Sequence, residues 1–169
     1  MVSADLLVDA FSRVSGIVNR VVEGLSPNQL SFRIDDRTNS IAWLIWHLSR
    51  IQDDHIADAA DTEQVYTSGG WVDRFALPFK PSTTGFGHSS DDVAAVRVES
   101  GDLLTGYHDA VFQQTLRFLD PLDDDSFARI VDASWDPPVS LGVRLVSVIS
   151  DNLQHAGQAA FVRGIIERA

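Results

Sequence analysis

The chain has 169 residues, of which 44% are apolar, which suits a single domain over residues 1–169 with an ordinary hydrophobic core. It contains no cysteine, and this excludes disulfides, thiolate metal ligands and a cysteine nucleophile. The formal charge of −11 disfavours a nucleic-acid partner, because an acidic surface repels phosphates.

The apolar segments are too short or too interrupted to cross a bilayer. Ile41–Leu48 is short, and Val139–Ile149 contains Arg144. The segment from Met1 to Ala10 carries two acids and no basic residue, which is the wrong pattern for a secretory signal. We therefore expect a cytoplasmic protein with no membrane partner.

Four segments space their apolar side chains three or four residues apart, as amphipathic helices do. They are residues 4–23, 41–60, 101–119 and 141–167. Ser40 and Ser140 are suitable N-cap residues for the second and fourth helices. The fourth helix is apolar on most sides, so we expect it to be central and buried. The sequence predicts an all-α fold, a four-helix bundle.

Two long connections separate the predicted helices, at residues 61–90 and about 120–139. The first is rich in glycine, proline and aromatic residues. Long irregular connections in compact domains are often functional, although such a loop also packs its aromatic side chains over one end of a bundle. No alternation of apolar and polar residues persists long enough to predict a sheet.

The residues of a candidate metal site lie on two of the predicted helices. Asp151 and His155 are four residues apart and therefore share a helix face. His47 lies on the apolar side of the second helix. A bundle core builds metal sites from facing helices, and two nitrogens with one oxygen suit Zn²⁺, and also Ni²⁺ or Fe²⁺. The alternative is a core histidine and a hydrogen-bonded Asp–His pair.

Three further residues could line this site. Asp54 lies on the same face as His47 and is a candidate hydrogen-bond partner for it or a lining residue. Gln158 closely follows His155. Arg163 could attract an anionic ligand group, although an arginine near a helix end has a simpler electrostatic explanation. His88 and His108 have no partner at metal-ligand spacing, so we interpret them as surface or structural residues.

Two of these helical segments resemble a known family. The segment from Asn39 to Leu48 (NSIAWLIWHL) resembles the second helix of the DinB-like superfamily. The segment from Asp151 to Gln158 (DNLQHAGQ) resembles its fourth-helix metal motif, and the tail Phe161–Gly164 fits as well. A carboxylate at position 151 resembles the branch that includes mycothiol S-transferases and mycothiol-dependent maleylpyruvate isomerase. That branch usually has glutamate here, so Asp151 is shorter by one methylene.

The resemblance implies a metal-dependent thiol transferase with mycothiol as co-substrate. His47, Asp151 and His155 would hold the ion, and the thiolate would attack an electrophile held under the aromatic loop. Trp71 and Phe75 are the candidates to cover the pocket. The resemblance also allows a mycothiol-dependent isomerase that uses the same site, and it allows a homodimer. A hypothesis from another class is a metal-binding stress or interaction protein without turnover.

Overall fold

The computed structural model describes residues 3–168, which form eight α-helices, a short 3₁₀ turn and two short strands. The four long helices are α1 (Ser3–Val22), α3 (Ile41–Ala60), α7 (Gly101–Leu119) and α8 (Leu141–Ile166). The short elements are α2 (Pro27–Leu30), α4 (Val65–Ser68), α5 (Trp71–Phe75), α6 (Ser90–Ala95), the 3₁₀ turn Asp124–Ala128, β1 (Ile130–Asp132) and β2 (Val139–Ser140).

The helices that carry the candidate site begin at serine caps, as predicted. The Ser40 hydroxyl accepts a hydrogen bond from the Trp43 backbone amide at 3.1 Å, and Ser140 does the same for Val143 at 3.4 Å. Each cap satisfies an amide that has no partner within its own helix. The starts of α3 and α8, and so the angular positions of their site residues, are fixed by these local sequences.

The four long helices form the bundle. Helix α3 packs against α7 and α8, and α1 packs against the same two helices. Each long helix therefore packs against two others, and their apolar faces enclose a core that includes Leu44, Leu104 and Leu145. The prediction of an all-α fold is confirmed.

The most buried helix is α3, so the prediction that the fourth long helix is the central one is wrong. On α8, Val146 and Phe161 are 61% and 66% exposed, whereas every residue from Ile41 to Arg50 on α3 is buried. The reason is that α2 and the 61–90 connection, which includes α4, fold over α3. The apolar residues on several faces of the fourth long helix could not show which helix the connections would cover.

The two connections contain short elements that sequence periodicity could not resolve. The first contains α4 and α5 and then a strap, defined here as residues 81–85, that crosses α3. The second contains β1 and β2, which pair antiparallel. Strands of three and two residues are too short to show alternation. Within residues 3–168, no helix is long and apolar enough to span a membrane.

Candidate metal centre

Helices α3 and α8 bring the three predicted ligands together. One ligand atom from each of His47, Asp151 and His155 lies within 4.8 Å of the others. The two imidazole rings have their centroids 4.8 Å apart, and His155 Nε2 is 3.5 Å from Asp151 Oδ1. Zinc ligands sit at about 2.0–2.2 Å from the ion, so small side-chain rotations bring these three atoms to one ion.

His47 has its tautomer fixed by the strap. Its Nδ1 lies 2.7 Å from the carbonyl oxygen of Thr84. A carbonyl oxygen can only accept, so Nδ1 carries the proton and Nε2 keeps the lone pair. The Trp43 ring stacks on the imidazole at 4.5 Å with an interplanar angle of 13°. Together these contacts fix both the ring plane and the nitrogen that is available to a metal.

His155 is oriented in the same way by its own helix. Its Nδ1 lies 3.0 Å from Gln158 Oε1, so the amide oxygen accepts the Nδ1 proton. The other nitrogen, Nε2, then has a free lone pair and is the nitrogen next to Asp151. A metal-bound histidine commonly donates its second ring N–H to an oxygen in this manner.

Asp151 supplies the observation that tests whether a cation fits. Its Oδ2 is buried, and among residues 3–168 no hydrogen-bond partner reaches it. A buried carboxylate oxygen without a partner costs free energy, and a bound cation removes that cost. The donor set of two imidazoles and one carboxylate therefore fits a divalent ion, and the shorter aspartate still brings its oxygen into the group.

The two histidines have opposite pKa shifts. Burial lowers the pKa of His47, which keeps the ring neutral. Burial also acts to lower the pKa of His155, but hydrogen bonds with Asp151 and Gln158 outweigh it, so the pKa of His155 is raised. A metal ligand must be unprotonated, so protons compete with the ion mainly at His155.

The structure places the other predicted site residues as follows. Gln158 lies at the candidate metal centre, where its side-chain oxygen contacts His155 Nδ1. Asp54 accepts a hydrogen bond from Gln64 at 2.7 Å, while the ring N–H of His47 goes to the strap instead. The Nη1 of Arg163 donates to three carbonyls at the end of α1, those of Arg20, Val21 and Glu23, at 2.6–3.0 Å.

Trp71 and Phe75 are buried in the core cluster rather than exposed over the centre. Their rings pack against Tyr107 at centroid distances of 5.5 and 5.7 Å. The 61–90 connection does cover the centre, but with Thr84 and Gly85. A Cβ built on Gly85 would lie 2.8 Å from His47 Nδ1, and the backbone there has a φ of +95°.

Sequence reasoning missed the strap because its contribution is a backbone carbonyl. The one available signal is Gly85, since glycine is typical where a backbone closely approaches another group. It also missed the contact of His88, whose Nδ1 accepts a hydrogen bond from Trp43 Nε1 at 3.1 Å. His88 therefore supports the tryptophan that stacks on His47.

A cavity of about 490 Å³ lies beside the centre. Gln158 links the two, since it lines the cavity and also contacts His155. The apolar side chains of Leu44 and Phe161 and the cationic Arg37 contribute to the same walls. This combination of apolar walls and a few polar groups is typical of a small-molecule site.

Fold and site together define the class, a four-helix bundle of the DinB-like superfamily with a His–Asp–His group between its second and fourth long helices. A family model described as mycothiol-S-transferase matches residues 6–168. The chain therefore belongs to the mycothiol-S-transferase family.

One solved structure supports the fold assignment. It is described as "Crystal structure of the conserved protein of locus from Enterococcus faecalis", and it superposes with a TM-score of 0.93. The two sequences are 27% identical over 100% of this chain and 99% of that chain. No curated protein matches this chain significantly.

Proposed function

We propose that this chain is a metal-dependent thiol S-transferase, in which mycothiol attacks an electrophilic small molecule, as in detoxification. The observation that carries the proposal is the convergence of His47, Asp151 and His155 beside a cavity large enough for a small molecule. Membership of the mycothiol-S-transferase family supports the choice of thiol.

The ligand set supports zinc, with nickel or iron as the other candidates. Three protein ligands leave a coordination position open for a co-substrate, as in catalytic zinc sites. A divalent ion, when bound, lowers the pKa of a coordinated thiol so that the thiolate forms near neutral pH. Because the chain has no cysteine, the sulfur must come from the co-substrate.

The residues of the chain orient the candidate ligands and shield one face of His47. Thr84 and Gln158 hold the Nδ1 protons, and Trp43 covers one face of His47. The adjoining cavity offers Leu44 and Phe161 to the apolar parts of a substrate. In the transfer, the thiol loses its proton to solvent, a sulfur–carbon bond forms, and the leaving group departs with the electron pair of its bond to that carbon.

The test uses protein prepared without a histidine tag and loaded with zinc. With mycothiol and 1-chloro-2,4-dinitrobenzene, we expect the thioether to form and chloride to be released. Asp151→Asn and His155→Gln should abolish this turnover. Asp132→Asn is the control, because Asp132 pairs with Arg144 at 2.8 Å, outside the cluster of candidate ligands.

Three outcomes distinguish the alternatives. Thioether formation that is lost on substitution of Asp151 or His155 supports the transferase. A reaction that needs mycothiol but returns it unchanged identifies the isomerase instead. Zinc binding without turnover for any thiol–electrophile pair contradicts the proposal and favours a metal-binding protein of another kind.

A further inference from the structure

Arg50 is a fully buried cation one turn after His47 on α3, with a relative exposure of 0%. A buried charge is costly unless its donors are satisfied. The guanidinium donates through Nη2 to the Pro81 carbonyl at 3.0 Å and through Nε to the Thr83 carbonyl at 3.2 Å. Both carbonyls belong to the strap, so this side chain ties the strap to α3.

The guanidinium is itself held in place by a buried carboxylate. Asp53 Oδ2 lies 3.5 Å from Arg50 Nη1. The Asp53 carboxylate also accepts hydrogen bonds at 2.8 Å from the backbone amides of Val65 and Tyr66 and from the Tyr107 hydroxyl. It is therefore fixed to both α4 and α7, and it orients the arginine that faces it.

The strap connects this ion pair to the metal centre. Thr84 directly follows Thr83, and its carbonyl is the one that accepts the Nδ1 proton of His47. The planar guanidinium binds the carbonyls on either side of Ser82 at once, which a single ammonium group cannot reproduce with the same geometry. Arg50 therefore constrains the backbone immediately before the Thr84 carbonyl.

We propose that Arg50 is a positioning residue for the metal centre: it holds the strap so that the Thr84 carbonyl keeps the proton on His47 Nδ1 and leaves Nε2 for the ion. The inference rests on the metal-binding part of the proposed function and not on thiol transfer. If the wild-type protein binds no zinc, the proposed function fails, whereas zinc binding that is insensitive to Arg50 overturns only this inference.

The decisive experiment compares Arg50→Lys with Leu119→Ala. Lysine keeps a cation beside Asp53 but loses the planar fork that reaches two strap carbonyls. Leu119 is also fully buried, but it packs in the core cluster that includes Phe11 and Leu141, and no strap residue belongs to that cluster. Both substitutions should lower the melting temperature, so the matched variant controls for a loss of stability alone.

Zinc affinity is measured by competition with a chromogenic chelator. Changes in the groups that orient metal ligands typically weaken metal binding by about 10–100-fold, and we expect a loss in that range for Arg50→Lys. Leu119→Ala should leave the affinity within roughly threefold of wild type, since the carbonyl that orients His47 is not disturbed. A folded Arg50→Lys protein with wild-type zinc affinity overturns the proposal.

Hydrogen exchange in the wild-type protein provides a test that needs no variant. If the strap and His47 are coupled, zinc binding should slow exchange at the strap, because coupling between two sites is reciprocal. The reporting hydrogen bonds each include one strap group: the Thr83 amide donates to the Lys80 carbonyl, and the His88 amide donates to the strap carbonyl of Gly85. The Leu141 amide, bonded to Arg129, is the control. Zinc binding that leaves the strap amides unprotected contradicts the proposal.

Discussion

Gly85 is a strap residue whose backbone closely approaches His47, a candidate metal ligand. We predict that Gly85→Ala weakens zinc binding by at least about tenfold, because the added Cβ would lie 2.8 Å from His47 Nδ1 and the φ of +95° disfavours an L side chain. Chelator competition gives the affinity. Gly164→Ala is the matched control, since a Cβ at Gly164 meets nothing within 4 Å. Equal zinc affinities in the two variants would contradict the close approach.

His108 is the residue whose protonation should affect folding most. It is fully buried on α7, and burial lowers its pKa to about 4. The unfolded chain protonates this residue near pH 6.5, so the unfolded state binds more protons between these two values. The stabilisation from neutral His108 is therefore fully present above about pH 6.5. As the pH falls toward 4, the free energy of unfolding decreases by roughly 3 kcal/mol.

Urea unfolding of metal-free protein across this pH range tests the assignment. His108→Leu should have a flatter stability profile, because its unfolded state no longer gains that proton. The Ser49 hydroxyl, which contacts His108 at 3.0 Å, keeps its bond to the Ile45 carbonyl in this variant. Identical pH profiles for the variant and the wild type would show that the stability change comes from other groups.

At the scale of elements, Arg163 joins α8 to the end of α1. Its Nη1 satisfies three carbonyls that have no partner within α1, so we predict that Arg163→Ala lowers the free energy of unfolding by about 1–3 kcal/mol. Arg13→Ala is the control, because its pair with Asp9 is exposed and contributes little. A raised KM for the thiol with unchanged stability would instead indicate a ligand-binding role for Arg163.

The long helices and their ligands could be predicted because each rests on a local pattern. Apolar spacing, the Ser40 cap and the four-residue interval between Asp151 and His155 together fix a face and its position along a helix. The strap could not be predicted in this way, since its bonds to His47 and Arg50 use backbone carbonyls, which every residue possesses. Trp71 and Phe75 were placed in the right connection, but the sequence does not say which aromatic side chains of a loop face the core.

At the scale of the whole molecule, the bundle has to bring α3 and α8 together with their ligands in register. Asn152 on α8 donates to Gln52 on α3 at 2.7 Å, and both side chains are buried. This bond fixes the axial position of one helix against the other, since sliding either helix would leave buried amide groups without partners. The register also sets Asp151 opposite His47, so the candidate metal centre depends on the packing of α3 against α8.

The most direct test of this account is calorimetric titration of zinc into tag-free protein near pH 7.5, with His155→Gln and Asp151→Asn alongside the wild type. We predict one ion per wild-type chain and a loss of at least about tenfold in affinity in each variant, because each removes or neutralises one ligand. Zinc that binds the variants as tightly as the wild type, or no binding to any of them, would contradict the assignment of His47, Asp151 and His155 as a metal centre.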